Sequence, residues 1–355
     1  MVKSTAAAKS TEMTAVLLEN DKPDVLSVPR GDSSSKGGSK TRSEAGAGKA
    51  LMACTMYSGC SVSMILVNKS LASSYNHLFD GSLNVFLVVV QAVVAVICVE
   101  ICKKMKLVEY PSFNLQTAKL WAPVNIFFCA MLFTGMASLQ YNSVPMVSVF
   151  KNINNVVVTF GDRYFFGVRV EPLILASFLL MLGGAVAAAS NDLQASPAGI
   201  FWMSANVVST AGYILYMKFA TKNVKLSKFG MVFYNNVLCT VFLLPVIILN
   251  GEMNIFMNTE ALHSVDYFVK NFFSGFVGFF LNFASLNCVA ATGPTTYATV
   301  GTLNKIPISL LGYVLFDDII TAQTWMYIIV SMLGGFLYSY AKIRGAKQRT
   351  GKVSK

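Results

Sequence analysis

Two lysines lie deep within long apolar segments, where a charged side chain needs a specific role. Lys151 follows a run that ends in Val149-Phe150, and Lys305 lies between a Thr/Asn-containing stretch and an apolar one. An ammonium group at the centre of a membrane helix costs about 2.5–3.5 kcal/mol on insertion scales, so it requires an anion. We expect both lysines to face a water-filled cavity and to bind a diffusible anion. A structural ion pair, such as Lys151 with Glu100, is the alternative.

Amide, hydroxyl and glycine residues accompany these lysines at helical spacing. They are Asn154 and Asn155 after Lys151, Tyr297, Gly301 and Asn304 before Lys305, and Tyr234, Asn235 and Asn236 in another apolar segment. Positions three, four, seven or eight residues apart share one face of a helix. Amides both donate and accept hydrogen bonds, which suits the edge of a nucleobase. Hydrogen bonding between helices competes as an explanation for each single residue, but the set predicts a site for a polar, phosphorylated ligand.

A third lysine, Lys69, follows Asn68 near the end of the first apolar segment, and Lys270 begins a later one. At such positions a long side chain can extend to the membrane surface. We expect both lysines to do so, and we keep Asn68 and Lys69 as further candidates for contact with the ligand.

The composition indicates the elements that hold these residues. Hydrophobic residues make up 54 % of the 355-residue chain, charged residues make up 13 %, and the mean hydropathy is +0.57. Soluble proteins contain about 25 % charged residues. Ten continuous apolar blocks cover approximately 50–72, 83–102, 120–140, 143–161, 172–191, 197–218, 229–250, 268–290, 293–316 and 322–342. Each can cross a hydrocarbon core of about 30 Å as a helix, which predicts an all-α polytopic membrane protein with ten transmembrane helices.

The distribution of positive charge predicts the orientation. Of the 28 lysines and arginines, 24 lie in the two tails and in alternate loops. Because positively charged loops stay in the cytosol, we expect both termini to be cytosolic. Residues 1–48 are polar and carry both charge signs, which predicts a disordered tail, and residues 344–355 form a basic tail. The net charge of +11 thus reflects membrane topology, and we expect no nucleic-acid partner.

Short sequence repeats divide the apolar region into two halves. Met64-Ile-Leu-Val-Asn-Lys69 is similar to Tyr213-Ile-Leu-Tyr-Met-Lys218, and Met181-Leu-Gly-Gly184 is identical to Met332-Leu-Gly-Gly335. Asn154 corresponds to Asn304 at nearly the same separation. Five spans in each half require the second half to enter the membrane from the other side. Residues 49–192 and 193–343 are therefore predicted to be inverted repeats, an arrangement typical of transporters that bind substrate between the halves.

Catalysis and metal binding receive little support. The seven cysteines form no CxxC pair, so neither a disulfide framework nor a zinc site is predicted. A membrane-bound enzyme needs acid and base groups, and the chain has only two histidines and few carboxylates within its apolar blocks. We predict no enzyme activity, no catalytic residues, no metal and no cofactor.

Two motifs in the second half point to a known family. Phe233-Tyr-Asn-Asn236 and Gly301-Thr-Leu-Asn-Lys305 resemble the paired FYNN and GALNK motifs of GDP-mannose transporters, which are nucleotide-sugar transporters of the drug/metabolite transporter superfamily. Thr302 stands where that family usually has Ala or Ser. The resemblance extends over approximately residues 50–343.

The resemblance implies a role for each group of candidates. Guanine and its nucleoside would be bound by Asn235, Asn236, Tyr234 and Tyr57. Lys151 and Lys305 would hold the phosphates. The sugar would be bound by Asn304, Tyr297, Ser285, Asn282 and Gly301, with Asn154, Asn155, Asn68 and Lys69 as additional candidates.

The resemblance also implies transport of a GDP-sugar, most often GDP-mannose, from the cytosol into the Golgi lumen in exchange for GMP. The choice among GDP-sugars stays open, as does formation of a homodimer. A triose-phosphate or UDP-sugar carrier of the same superfamily is the alternative. Two lysines match the approximately two negative charges of either a nucleotide sugar or GMP.

Overall fold

The computed structural model describes residues 39–73, 81–167, 170–191, 196–221, 223–292, 294–316 and 320–353. Within these ranges the chain forms helices and no strand. The helices are α1 Ser39–Ser73, α2 Asn84–Lys104, α3 Leu115–Tyr141, α4 Val144–Phe166, α5 Pro172–Ser190, α6 Pro197–Ala220, α7 Lys228–Leu249, α8 Glu252–Asn258, α9 Val265–Thr292, α10 Pro294–Leu303, α11 Lys305–Leu315 and α12 Ala322–Val353. A short 3-10 helix, Glu260–His263, lies between α8 and α9.

The all-helical fold of a polytopic membrane protein is confirmed. Within the described ranges, seven helices are long and apolar enough to cross a membrane: α1 from Gly48, α2, α3, α5, α6, α7 and α9 to Val289. Val300–Leu315 is a shorter apolar stretch. Helix α4 is not among the seven, and its run of Lys151 and three asparagines makes it less apolar than its neighbours. Ten spans therefore stay a prediction.

Helices extend into both predicted tails where the structure describes them. Helix α1 begins at Ser39, inside the predicted tail 1–48, and the residues before it lie outside the described residues. Helix α12 continues to Val353 through the predicted basic tail 344–355. Lys, Arg, Gln and Ala favour helices, which explains why α12 continues beyond its apolar part.

Serine side chains and prolines determine where several helices begin. Ser143 accepts a hydrogen bond from the third residue of α4, Ser196 does the same for α6, and Ser227 for α7. Serine is a favoured N-cap, and proline is tolerated in the first turn of α4 and α6. Helix α4 ends at Gly167, which has a φ of 66° and closes the helix in the left-handed conformation.

The pairing of helices fits the predicted repeat. Extensive contacts join α1 to α9, α3 to α6, α2 to α7 and α5 to α12. If the halves are equivalent, α1 corresponds to α6 and α3 to α9, so the first two contacts are related to each other. The other two pairs each join equivalent helices. A pseudo-twofold axis would produce this pattern, which supports the inverted repeat.

The two copies of the Met-Leu-Gly-Gly motif pack directly against each other. A Cβ atom at Gly184 would lie 2.7 Å from the Ser331 backbone nitrogen, and one at Gly334 would lie 2.7 Å from the Met181 nitrogen. The Ser331 hydroxyl donates a hydrogen bond to the Met181 carbonyl over 3.2 Å. Small residues allow such close approach of membrane helices, so the repeated glycines bring the α5 and α12 backbones together.

Candidate functional site

The two lysines in the apolar helices lie close together. Lys305 at the start of α11 donates a hydrogen bond to the Asn152 side-chain oxygen in α4, and its ammonium group is near enough to Lys151 for the two charges to repel. Lys151 is exposed, although α4 is packed against α5, α6, α11 and α12. Its side chain therefore remains accessible between these helices, in a space that we call the cleft.

Neither lysine contacts a carboxylate within the described part of the chain. The ion pairs there join Lys218 to Asp162 and Lys270 to Asp266. Glu100, the expected alternative partner of Lys151, accepts a hydrogen bond of 2.7 Å from the Tyr110 hydroxyl. The cleft consequently carries two positive charges that the described residues do not neutralise.

The predicted span 293–316 is divided at Asn304, between α10 and α11. Pro307 explains the division, because it has no N–H to donate to the Leu303 carbonyl four residues earlier. The ring also disfavours a regular helix at that turn. The interruption is local, because Asn304 keeps helical φ and ψ angles of −59° and −22° and its N–H still donates to the Val300 carbonyl over 2.9 Å. It lies directly beside Lys305.

Two buried amide atoms near the lysines have no hydrogen-bond partner among the described residues. They are the side-chain oxygen of Asn154, one turn after Lys151, and the side-chain nitrogen of Asn304, next to Lys305. Buried polar atoms are nearly always hydrogen-bonded in folded proteins. One orphaned acceptor and one orphaned donor, in equivalent positions of the two halves, would suit a ligand with hydroxyl groups.

Two tyrosines pack beside Gly301, which lies one turn before Asn304. The Tyr57 and Tyr297 rings lie 4.7 Å apart, and a Cβ atom at Gly301 would lie 3.1 Å from the Tyr57 hydroxyl. Helices α1 and α10 thus bring together three residues that were predicted from different parts of the chain. The glycine leaves room for the tyrosine.

The candidates in α9 are less closely tied to this cluster. Asn282 is exposed and donates a hydrogen bond of 3.0 Å to the Gly278 carbonyl of its own helix. Ser285 is half-buried and donates to the Asn282 carbonyl over 2.9 Å. The Asn282 amide and the Ser285 hydroxyl thus both donate hydrogen bonds within α9, and the described contacts do not join these residues to the lysines.

The FYNN motif divides into residues that support α7 and one that stays available. The Asn235 side chain is 5 % exposed, accepts a hydrogen bond of 2.8 Å from the Trp121 indole, and donates one of 2.9 Å to the Tyr213 hydroxyl. The Tyr234 hydroxyl is buried and accepts a backbone hydrogen bond from Asn114. These partners hold α3, α6 and α7 together, so Asn235 and Tyr234 act first in packing.

Asn236 differs from its neighbour. It is half-buried, and its side-chain nitrogen donates to the Val232 carbonyl over 2.7 Å. Its side-chain oxygen has no recorded hydrogen bond within the described ranges. Asn236 is therefore the residue of the motif that is better placed to meet a ligand.

Lys69 and Asn68 lie in polar contacts away from the two cleft lysines. Lys69 is only 6 % exposed and donates to the Leu139 and Asn142 carbonyls over 2.9 and 2.7 Å. The expectation that it extends to the membrane surface is wrong, because the unpaired carbonyls at the end of α3 offer a nearer partner. The Asn68 oxygen accepts hydrogen bonds from two side chains on neighbouring helices, Gln91 and Ser274.

Lys270 and Asn155 are the remaining residues that the sequence analysis singled out. Lys270 forms an exposed ion pair of 2.7 Å with Asp266, one turn away on α9. Asn155 is half-buried on α4, and its backbone carbonyl accepts a hydrogen bond from Thr159.

The Triose-phosphate Transporter family matches residues 48–339. This chain belongs to that family. A GDP-mannose transporter of Aspergillus fumigatus is 34 % identical over 313 residues, which cover 83 % of this chain and 81 % of that protein. A GDP-mannose transporter 1 of Emericella nidulans is 32 % identical over 324 residues, covering 85 % and 83 %.

Membership in a transporter family confirms the predicted class and sets aside the membrane-bound enzyme. In this transporter the one departure from the GALNK motif, Thr302, contacts α12. The Thr302 and Ser339 hydroxyls are hydrogen-bonded over 2.8 Å, which joins α10 to α12. Thr302 therefore strengthens a helix contact.

Sequence reasoning gave no role to Asn152. This residue is fully buried, and its side-chain nitrogen donates to the Ser331 carbonyl over 3.3 Å while its oxygen accepts from Lys305. A Cβ atom at Gly335 would lie 3.0 Å from that oxygen. In the transporter Asn152 thus orients Lys305 from the opposite half. Its position directly after Lys151 was the available signal, but it lies on another face of α4.

Proposed function

We propose that this chain is a nucleotide-sugar transporter whose substrate is a GDP-sugar, and that this GDP-sugar is GDP-mannose. The observation that carries the proposal is the pair Lys151 and Lys305, two cations in one cleft without a carboxylate partner among the described residues. A diphosphate supplies the missing negative charge. Relatives about one-third identical over most of the chain bear the name GDP-mannose transporter, and this supports the choice of nucleotide and sugar.

The ligand would lie across the two halves. Lys151 and Lys305 would bind the diphosphate, with Asn152 holding Lys305 in position. The orphaned amide atoms of Asn154 and Asn304 would pair with hydroxyl groups of the sugar. Binding would therefore satisfy both charge and hydrogen bonding.

The remaining candidates would form the two ends of the site. Tyr57, with Tyr297 and Gly301, would bound the cleft, and Asn282 and Ser285 would lie farther along α9. Asn236 would contact guanine. Asn235 would hold Asn236 in position through its own hydrogen bonds to α3 and α6.

Exchange follows from the same charges. With the site empty, two ammonium groups share one cleft and repel each other, so crossing through a closed intermediate is unfavourable. Either GDP-mannose or GMP carries about two negative charges and removes this penalty. We therefore propose strict exchange by alternating access, with GDP-sugar entering from the basic, cytosolic side of a Golgi membrane and GMP returning.

Uptake of radiolabelled GDP-mannose into proteoliposomes tests the proposal. We expect uptake into vesicles loaded with GMP, and a rate at least about tenfold lower in vesicles that are empty or loaded with UMP. Lys305→Ala should abolish uptake, and Lys270→Ala, which removes an exposed charge outside the cleft, should not change it. Equal uptake into empty vesicles would refute exchange.

The family description also favours a second candidate, a carrier of triose phosphates. Two lysines would bind such phosphates equally well. Competition separates the candidates: unlabelled GDP-sugars and GMP should block uptake, whereas triose phosphates and UDP-sugars should not. Competition by triose phosphate at the same concentration as GMP would favour the second candidate.

A further inference from the structure

Lys69 fastens three helices at one end of the bundle. We call the end at which α2 and α6 finish, with Lys103, Lys104 and Lys218, the basic end, and the other the opposite end. Lys69, at the opposite end of α1, donates to the carbonyls of Leu139 and Asn142, where α3 finishes. The Asn142 side-chain nitrogen in turn donates to the Gly199 carbonyl at the start of α6 over 3.1 Å. Charge-assisted bonds to a helix carboxyl end are favourable, so α1, α3 and α6 are joined there.

Lys218 occupies the equivalent position of the second half, 149 residues later, but it makes a different contact. Its ammonium group lies 2.9 Å from Asp162 and 4.5 Å from the centre of the Phe166 ring, both at the basic end of α4. The repeat places α9 in the role of α3. Yet α1 packs against α3, whereas α6 and α9 share no more than marginal contact in the described residues. The two halves thus carry equivalent lysines in different arrangements.

The helices around the cleft are also packed differently at the two ends of the bundle. Helix α4 packs against α11, which lies nearer the opposite end than α10 does, and it makes no more than marginal described contact with α10. At the opposite end, a Cβ atom at Gly312 would lie 2.4 Å from the Val144 Cβ atom. The described conformation is therefore tightly packed at the opposite end and separated at the basic end between α4 and α10.

We propose that Lys69 and Lys218 are alternate latches of one transport cycle. In the described state Lys69 holds the opposite end shut. In the other state Lys69 is released, and Lys218 leaves Asp162 to cap the carboxyl end of α9 near the Cys288 and Ala291 carbonyls, the positions equivalent to those that Lys69 caps. Inverted repeats exchange their conformations when access alternates. The inference rests on the proposed alternating access, but it does not depend on which substrate is carried.

Removal of each latch should shift the population in opposite directions. Lys69→Met should favour the state closed at the basic end by about tenfold, the effect expected for losing hydrogen bonds to a charged group. Lys218→Met should favour the state described here. Lys69→Arg keeps the charge and the donors and should restore much of the original population. A residue that only stabilises the fold would not produce shifts of opposite sign.

Two pairs of spin labels read these populations by distance measurement in lipid nanodiscs, with the seven cysteines replaced by serine. Ser70 and Tyr141 report the separation of α1 and α3 at the opposite end. Phe219 and Ala291, exposed residues at equivalent places, report the separation of α6 and α9 at the basic end. Lys270→Met, which alters an exposed ion pair outside both latches, serves as the control.

We expect Lys69→Met to lengthen the first distance and shorten the second, and Lys218→Met to do the reverse. Unchanged distances in both variants, or a longer first distance without a shorter second one, would overturn the latch proposal. Failure to transport GDP-mannose, with reciprocal distances preserved, would instead overturn the proposed substrate and leave the latches intact.

Discussion

Replacing Lys151 by methionine should make the empty protein more stable while it abolishes ligand binding. Lys151 makes no recorded hydrogen bond or ion pair within the described residues, and its ammonium group is repelled by Lys305. Methionine keeps the aliphatic length and removes the charge. Replacing buried charges by apolar side chains often stabilises proteins by about 1–4 kcal/mol, and the exposure of Lys151 to the cleft reduces the expected gain to about 1 kcal/mol.

Two further variants should change the stability of the protein differently from Lys151→Met. Lys305→Met relieves the same repulsion but leaves the Asn152 oxygen without its donor, so the two effects nearly cancel. Asn235→Leu leaves the Trp121 indole and the Tyr213 hydroxyl without their partner, which should cost about 2–3 kcal/mol. The order of stability should therefore be Lys151→Met, wild type close to Lys305→Met, and last Asn235→Leu.

Thermal unfolding of the purified protein, followed by tryptophan fluorescence, measures this order. A gain of about 1 kcal/mol corresponds to a rise in Tm of about 1–2 °C for a chain of this size. GMP should raise the Tm of the wild type and leave that of Lys151→Met unchanged. If Lys151→Met instead lowers the Tm as far as Asn235→Leu does, Lys151 has a structural partner and the reasoning is refuted.

Three other outcomes follow from single contacts. Asn236→Ala should weaken GDP-mannose binding by about tenfold and reduce discrimination against UDP-sugars in a competition assay, and unchanged selectivity would remove Asn236 from the guanine site. Burial raises the pKa of Glu252, although hydrogen bonds from two backbone N–H groups at the start of α2 oppose this shift. The folded protein therefore binds more protons than the unfolded chain, and the free energy of unfolding falls as pH rises through that pKa. Glu252→Gln should flatten the dependence of Tm on pH. Gly184→Val should cost about 1–3 kcal/mol through overpacking against Ser331, whereas Gly183→Val, where a Cβ atom meets nothing within 4 Å, should be tolerated.

The length of the apolar runs was sufficient to place most of the helices. Each predicted apolar block except 293–316 coincides with one helix, because about 20 continuous apolar residues allow few other structures in lipid. The block 293–316 was predicted as one helix, although Asn304 and Lys305 lie within it. Pro307 carried the signal for the break at Asn304, which hydropathy alone does not register.

The site was predictable in its charges and less so in its hydrogen bonds. Lys151 and Lys305 were recognised because a cation inside an apolar segment is costly, and in the structure their charges are near enough to repel. The different surroundings of Asn235 and Asn236 could not be predicted, since adjacent residues on a helix point in different directions. Lys69 was misplaced because the end of α3, its partner, lies seventy residues away in sequence.

The most direct test of the account is an experimental structure of the protein with bound GDP-mannose. The account predicts that diphosphate oxygens lie within hydrogen-bond distance, about 3 Å, of the ammonium groups of both Lys151 and Lys305, with the sugar beside Asn154 and Asn304. A ligand bound elsewhere, or a diphosphate that contacts neither lysine, would contradict it.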